Sequence, residues 1–231
     1  MTLVKKGIDI PGLVDAYYEQ GPTKGITNGQ IVWIPALYPN KNNVIIDIDV
    51  AADPSETKLP AFLRPLAQKQ THFPVKSLNL GSDEHAFVLT GKMRPAIILV
   101  EDATQWAKSP SENLALCAPL FRVEKPKFQQ PFVLKSQAFL YPSKFYLPPD
   151  PRFGIEEGII RFELIQIVHQ FVMTRFPDNQ KPAMLTEEFF ALLKFHLTRF
   201  LGGILPQDEQ EKLDVYGQLI IEEARRQGVP V

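Results

Sequence analysis

An arginine one residue before a proline, leading into an apolar run, is the residue of this chain best placed for chemistry on an anion. In Thr90-Gly91-Lys92-Met93-Arg94-Pro95-Ala96-Ile97-Ile98-Leu99-Val100, Pro95 fixes its own φ, lacks a donor and biases Arg94 toward extended geometry. Arg94 is therefore expected where a strand begins. Its planar guanidinium can hold two oxygens of a phosphate at once, which an ammonium cannot do. Lys92 adds a second cation two residues earlier. The competing reading of the same residues is a surface turn with a solvated arginine.

A second stretch points to the same ligand chemistry. Between residues 121 and 152, six bases (Arg122, Lys125, Lys127, Lys135, Lys144 and Arg152) meet two acids, Glu124 and Asp150, so the segment is locally cationic in a chain of net charge -1. Phe128, Phe132, Phe139, Tyr141, Phe145 and Tyr146 interleave these bases. Aromatic faces beside cations suit the unpaired bases and backbone of a single strand. The alternative is a sheet whose rings point inward while its lysines are simply solvated.

Other chemistries find little support. Cys117 is the single cysteine and has apolar neighbours, so it reads as a small buried hydrophobe in a reducing compartment. No His, Cys and carboxylate spacing suits a metal, and no Gly-rich phosphate loop or serine elbow is present. His169 and His196 fall in apolar runs and read as packing residues. Neither a leader-like apolar segment nor a run near the ~20 apolar residues of a membrane span occurs, which favours a cytoplasmic protein.

These residues need elements to hold them. A chain of 231 residues with 45% hydrophobic and 22% charged content can bury a sizeable core. Short β-branched and aromatic runs at 29–37, 44–50, 85–90, 94–101, 114–123, 132–134, 137–141 and 144–147 predict strands, the first two joined as a hairpin. Many short strands at this spacing suggest a small barrel. The Pro-, Lys- and Gln-rich stretch 51–83 reads as an insertion with one helical turn.

After Gly158 the apolar spacing changes, predicting a buried helix over 160–172. A second helix is expected from Thr186 as N-cap, with Leu185 and Phe190 as a hydrophobic staple, and a third after Pro206 to Arg226. The fold class expected is therefore α+β. Residues 1–157 would form the barrel and 158–231 a helical extension packed on it.

Gly29-Gln30-Ile31-Val32-Trp33-Ile34, then Gly91-Lys92-Met93-Arg94-Pro95-Ala96-Ile97-Ile98-Leu99, then Leu116-Cys117-Ala118-Pro119-Leu120, resembles in order and hydrophobicity the MazF/PemK toxin family. The resemblance implies an SH3-like barrel and a metal-independent endoribonuclease acting on single-stranded RNA without a cofactor, with an antitoxin partner and a homodimer. Arg94 would then stabilise the charge that develops on the phosphorane. The family's threonine after Pro-x is replaced by Phe121, which can neither donate to a phosphate oxygen nor move a proton. His85 or Glu84 would have to serve as base. Lys92, Arg122, Lys125, Lys127, Lys135 and Lys144 would contact the nucleic acid. Two further readings compete: a barrel that kept the fold but lost the chemistry and binds protein or nucleic acid, and an interaction protein working through its acidic helical tail.

Overall fold

The computed structural model describes residues 6–10, 14–38, 44–48, 61–65, 87–88, 90–106, 113–123, 128–174 and 181–231. The fold is mixed α+β, with antiparallel sheets. The first strands are β1 (Tyr18–Gln20), β2 (Ile31–Tyr38), β3 (Val44–Ile48), β4 (Ala61–Pro65), β5 (Phe87–Val88), β6 (Thr90–Val100) and β7 (Leu114–Arg122). There follow helix α1 (Gln130–Gln137), strands β8 (Lys144–Leu147), β9 (Gly158–Arg161), β10 (Gln166–His169) and β11 (Ala183–Leu185), and helices α2 (Glu187–Phe200) and α3 (Gln207–Arg226).

The chain divides into two compact units, Ala36–Lys92 on the one hand and Met1–Pro35 with Met93–Val231 on the other. In the smaller unit β3 pairs antiparallel with β4 and with β5. The expected hairpin between 29–37 and 44–50 is therefore replaced by other pairings, since β2 lies beside β6. β4 falls inside the stretch 51–83; the rest of that stretch lies outside the described residues.

In the larger unit β7 is the central strand, because it is apolar enough to be buried on both faces. β6 pairs along it from Ala96↔Pro119 to Val100↔Leu116. β10 pairs with its first half and β9 with its second, and β8 lies beyond β9. Among the described residues the strand order β2-β6-β7-β9-β8 is an open path. Past β10 the chain comes back to β2: Trp33 and Thr174 exchange backbone hydrogen bonds of 2.7 and 2.9 Å. Gly29 joins three strands, donating to Ile98 O of β6 at 2.7 Å while its own carbonyl accepts from Leu185 of β11. It does so at φ 81, where a side chain would be strained.

One face of this sheet carries the core. Ile97, Leu120, Phe145, Leu147 and Ile160 share it with Phe189 and Leu193 of α2 and with Leu213, Tyr216 and Ile220 of α3. The spacing 213, 216, 217, 220, 224 is one apolar stripe of an amphipathic helix, and all five residues are buried. Gly217 is in that stripe because a Cβ there would lie 2.7 Å from the carbonyl oxygen of Ala138. Alanine normally stabilises a helix interior by about 1 kcal/mol over glycine. Here Gly217→Ala is expected to lower stability instead, by about 1–3 kcal/mol, through overpacking against backbone. Urea midpoints decide the sign, and a stabilised variant would contradict the close approach.

Three expectations are corrected here. The predicted helix over 160–172 is β9, a 3-10 turn, β10 and a second turn. Ile159, Ile160, Ile167 and Val168 belong to two short strands, of which β9 is buried on both faces, and such a run mimics helical spacing. Conversely, the predicted strands at 132–134 and 137–141 are helix α1 and its exit, begun by Pro131 in the first turn. The helix stops at Phe139, whose φ of 59 is left-handed. Phe139 N donates to Ser136 O and Leu140 N to Lys135 O, the pairing usually closed by glycine. Stacking of its ring on Phe145, with Tyr216 and His196 beside it, offsets the backbone strain.

The helices at Thr186 and after Pro206 form as expected. Leu185 and Phe190 both enter the core. The Thr186 hydroxyl makes no cap bond; it donates to Ala16 O at 2.7 Å, tying α2 to the segment before β1.

Candidate nucleic-acid interface

Antiparallel pairing decides which side chains meet on the face of the sheet opposite α2 and α3, which α1 covers in part through Val133 and Phe132. Phe121 is opposite Ile159, Tyr146 is opposite Ile159, and Lys144 is opposite Arg161. Directly paired residues share a face and so do residues two apart along a strand, so Phe121, Arg161 and Lys144 project to the same side. Continuing the Ala96↔Pro119 register by two residues sets Arg94 against Phe121 on that side.

The contacts agree. The Arg94 guanidinium carbon lies 4.8 Å from the centroid of the Phe121 ring, and that of Arg161 lies 5.3 Å from the same centroid. One arginine comes from β6 and the other from β9, the strands flanking β7. Each cation is attracted to the negative face of the ring, so one ring engages a guanidinium from each flanking strand. A guanidinium stacked on a ring still presents its N–H edges in plane, so the arrangement can offer forked donors to an anion.

Glu163, in the turn after β9, answers part of this charge. Its Oε1 accepts from Arg161 Nε at 3.0 Å and from Lys144 Nζ at 2.5 Å, and Arg161 Nη2 lies at 2.9 Å. Partial burial pushes the Glu163 carboxyl up, but the bonds from Lys144 and Arg161 outweigh it and hold the group below the usual carboxylate range.

The residues singled out in the sequence fare differently. Arg94 is half-buried and lies inside β6, since that strand begins already at Thr90. Lys92 is exposed and belongs to the smaller unit. Arg122 forms an ion pair with Glu156. Lys135 lies in the last turn of α1, and Lys144 is held by Glu163. Glu84, His85, Lys125 and Lys127 lie outside the described residues.

Among the described residues, part of the charge excess of 121–152 is answered in space. Arg152 pairs with Asp150 inside the segment, while Arg122 and Lys144 pair with Glu156 and Glu163 beyond it. The interleaved aromatics are not a stacking surface along their length. Phe139, Phe145 and Tyr146 are buried, and half-buried Phe128, Phe132 and Tyr141 stack on one another.

Arg161 escaped sequence reasoning. It sits in the run read as helical, and strand alternation across Ile159, Ile160 and Arg161 is the signal that would have set it beside Phe121. Cys117 is buried, and burial pushes its thiol up to about 12, which removes it as a nucleophile at neutral pH. His196 is fully buried, with Nε2 at 3.2 and 2.9 Å from the carbonyls of Tyr141 and Lys144. It is a packing residue that braces the start of β8. Among the described residues no group of three His, Cys, Asp or Glu side chains could hold a metal ion, and no helix is long and apolar enough to cross a membrane.

No protein-family model matches the chain, and no curated protein matches it.

Proposed function

We propose that this is a toxin-type protein of the MazF/PemK kind that acts on single-stranded RNA in the cytoplasm, with Arg94 as its phosphate clamp. The observation that carries the reading is that two guanidinium groups, Arg94 and Arg161, both pack on the ring of Phe121. A phosphodiester is the anion that a guanidinium fork held by ring packing suits best. The SH3-like barrel belongs to the same proposal. In its favour, the chain leaving β10 bonds back to β2 through Trp33 and Thr174, the step by which a curled sheet of this order would close. A homodimer and an antitoxin partner follow from the resemblance alone.

A second reading has its own observation. Phe121 stands where the resemblance expects threonine, and the acid bonded to Arg161, Glu163, is also committed to Lys144. A protein that binds RNA without cutting it would look like this.

Both readings predict that Arg94→Ala costs little stability, about 0.5–1 kcal/mol for a lost contact between cation and ring, yet removes most RNA affinity. Anisotropy of a labelled single-stranded RNA, with a melting curve alongside, checks this. Unchanged binding, or a collapse of the fold, would overturn the clamp. Gel analysis of the same RNA after incubation separates the two readings, because cleavage lost in Arg94→Ala identifies the nuclease and intact RNA the binding module.

A further inference from the structure

We propose that Lys144 and Arg161 form a second phosphate subsite beside the Arg94 clamp, and that the Glu163 carboxylate occupies it as a built-in competitor for the ligand. The inference rests on the RNA reading above and extends it to a neighbouring phosphate and to control of affinity.

The geometry around Glu163 is that of an anion held by a receptor. A single oxygen, Oε1, collects Arg161 Nε, Arg161 Nη2 and Lys144 Nζ at 3.0, 2.9 and 2.5 Å. Two donors come from one planar fork and one from an ammonium approaching separately, the combination that grips a phosphoryl oxygen. The two cations are brought together by the sheet itself, since Lys144 and Arg161 are directly paired across β8 and β9. Glu163 arrives from outside that ladder, in the turn that follows β9.

The acid is therefore an addition to a cationic pair that the sheet already builds. It is also reachable, because the side chains of Arg161 and Glu163 are 41% and 33% exposed. Two cations against one carboxylate leave one positive charge, so an incoming phosphate is attracted before Glu163 is displaced. Arg161 links the two positions, lying over the Phe121 ring that Arg94 also covers. A strand whose phosphate meets Arg94 can thus pass along the covered ring of Phe121 and bring its next phosphate toward Arg161 and Lys144.

The test uses the full-length protein and two probes. The first is a labelled single-stranded RNA, titrated by anisotropy over a range of salt. Glu163→Gln is expected to tighten binding several-fold at low salt, and Arg161→Ala to weaken it about ten-fold and to reduce the salt slope by about 0.7, the contribution of one phosphate on a single strand. In the double variant the gain from Glu163→Gln disappears. Glu222→Gln, an equal charge change on the exposed side of α3, should leave binding within two-fold of the parent. The second probe is inorganic pyrophosphate, followed through the Arg161 Nε–H and Lys144 side-chain NMR signals, which should move, and move at lower concentration in Glu163→Gln.

If RNA binding depends on Arg94 while both side-chain signals stay still and Glu163→Gln behaves as the parent, the subsite falls and the clamp stands. If RNA does not bind but pyrophosphate shifts both signals more readily in Glu163→Gln, the RNA reading falls and the competed anion site stands. An equal gain from Glu222→Gln reduces the effect to net charge and overturns the competitor role.

Discussion

A fragment ending at Lys181 is expected not to fold. Removing the chain from Pro182 onward takes away Phe189, Leu193, Leu213, Tyr216 and Ile220, all nearly or fully buried against the sheet. Each such side chain contributes about 1.5–3 kcal/mol on burial, so the loss is on the order of 10 kcal/mol, comparable to the whole stability of an ordinary domain. The cut also removes β11, which pairs with β1 and whose Leu185 donates to Gly29 O, so sheet hydrogen bonds go with the apolar contacts. The fragment should be aggregated or lack a single cooperative transition. A soluble Met1 to Lys181 fragment with the melting curve of the parent would show that the helices are dispensable to the fold.

The second large effect is a loss of stability in mild acid that traces to one side chain. His196 is ringed by Phe139, Phe145 and Phe162. Burial, with a smaller push from the Arg199 guanidinium, lowers its pKa to about 4. Nε2 faces two carbonyls and so carries the hydrogen, while Nδ1 faces Arg199 Nη2 at 3.4 Å; a second proton would confront that cation.

In the unfolded chain the same imidazole titrates near 6.5, so below that pH the unfolded state takes up the proton first. The stability is complete above about pH 6.5, is lost as the pH falls toward 4, and changes no further below that. The full loss is about 3 kcal/mol. Carboxylates titrate in the lower part of the same window, so the measurement is a difference: urea unfolding of the parent and of His196→Gln from pH 7.5 to 4. The variant should begin less stable and show the shallower decline. Parallel curves would mean that His196 titrates alike in both states.

How much of this was legible in the sequence depends on whether a local signal was sufficient. α2 and α3 were, because the acidic first turns and the left-handed Gly202 and Gly228 just past the ends act within a few residues. The central strands β6 and β7 were, because long apolar runs bounded by turn residues leave few alternatives. The stretch 158–172 was not: β9 and β10 are short, and burial of β9 removes the alternation that separates strand from helix.

The site divides in the same way. Arg94 was visible from its proline, but its meeting with Phe121 and Arg161 depends on register between strands far apart in sequence. The spatial partners of the cationic stretch 121–152 were hidden for the complementary reason. Its neutralising partners Glu156 and Glu163 lie outside the window in sequence and inside it in space.

The core gathers residues from Val14 to Ile220 around one sheet face, and this bears on how the protein is born. A ribosome delivers β2, β6, β7, β8 and β9 well before α3, so the apolar face of the sheet waits uncovered while its last partners are still being synthesised. Contacts this distant in sequence also form slowly once the chain is free. Exposed strand edges and apolar surface during that interval favour association between nascent chains. Cellular yield should therefore respond to growth temperature and to chaperone supply more sharply than the stability of the finished protein suggests.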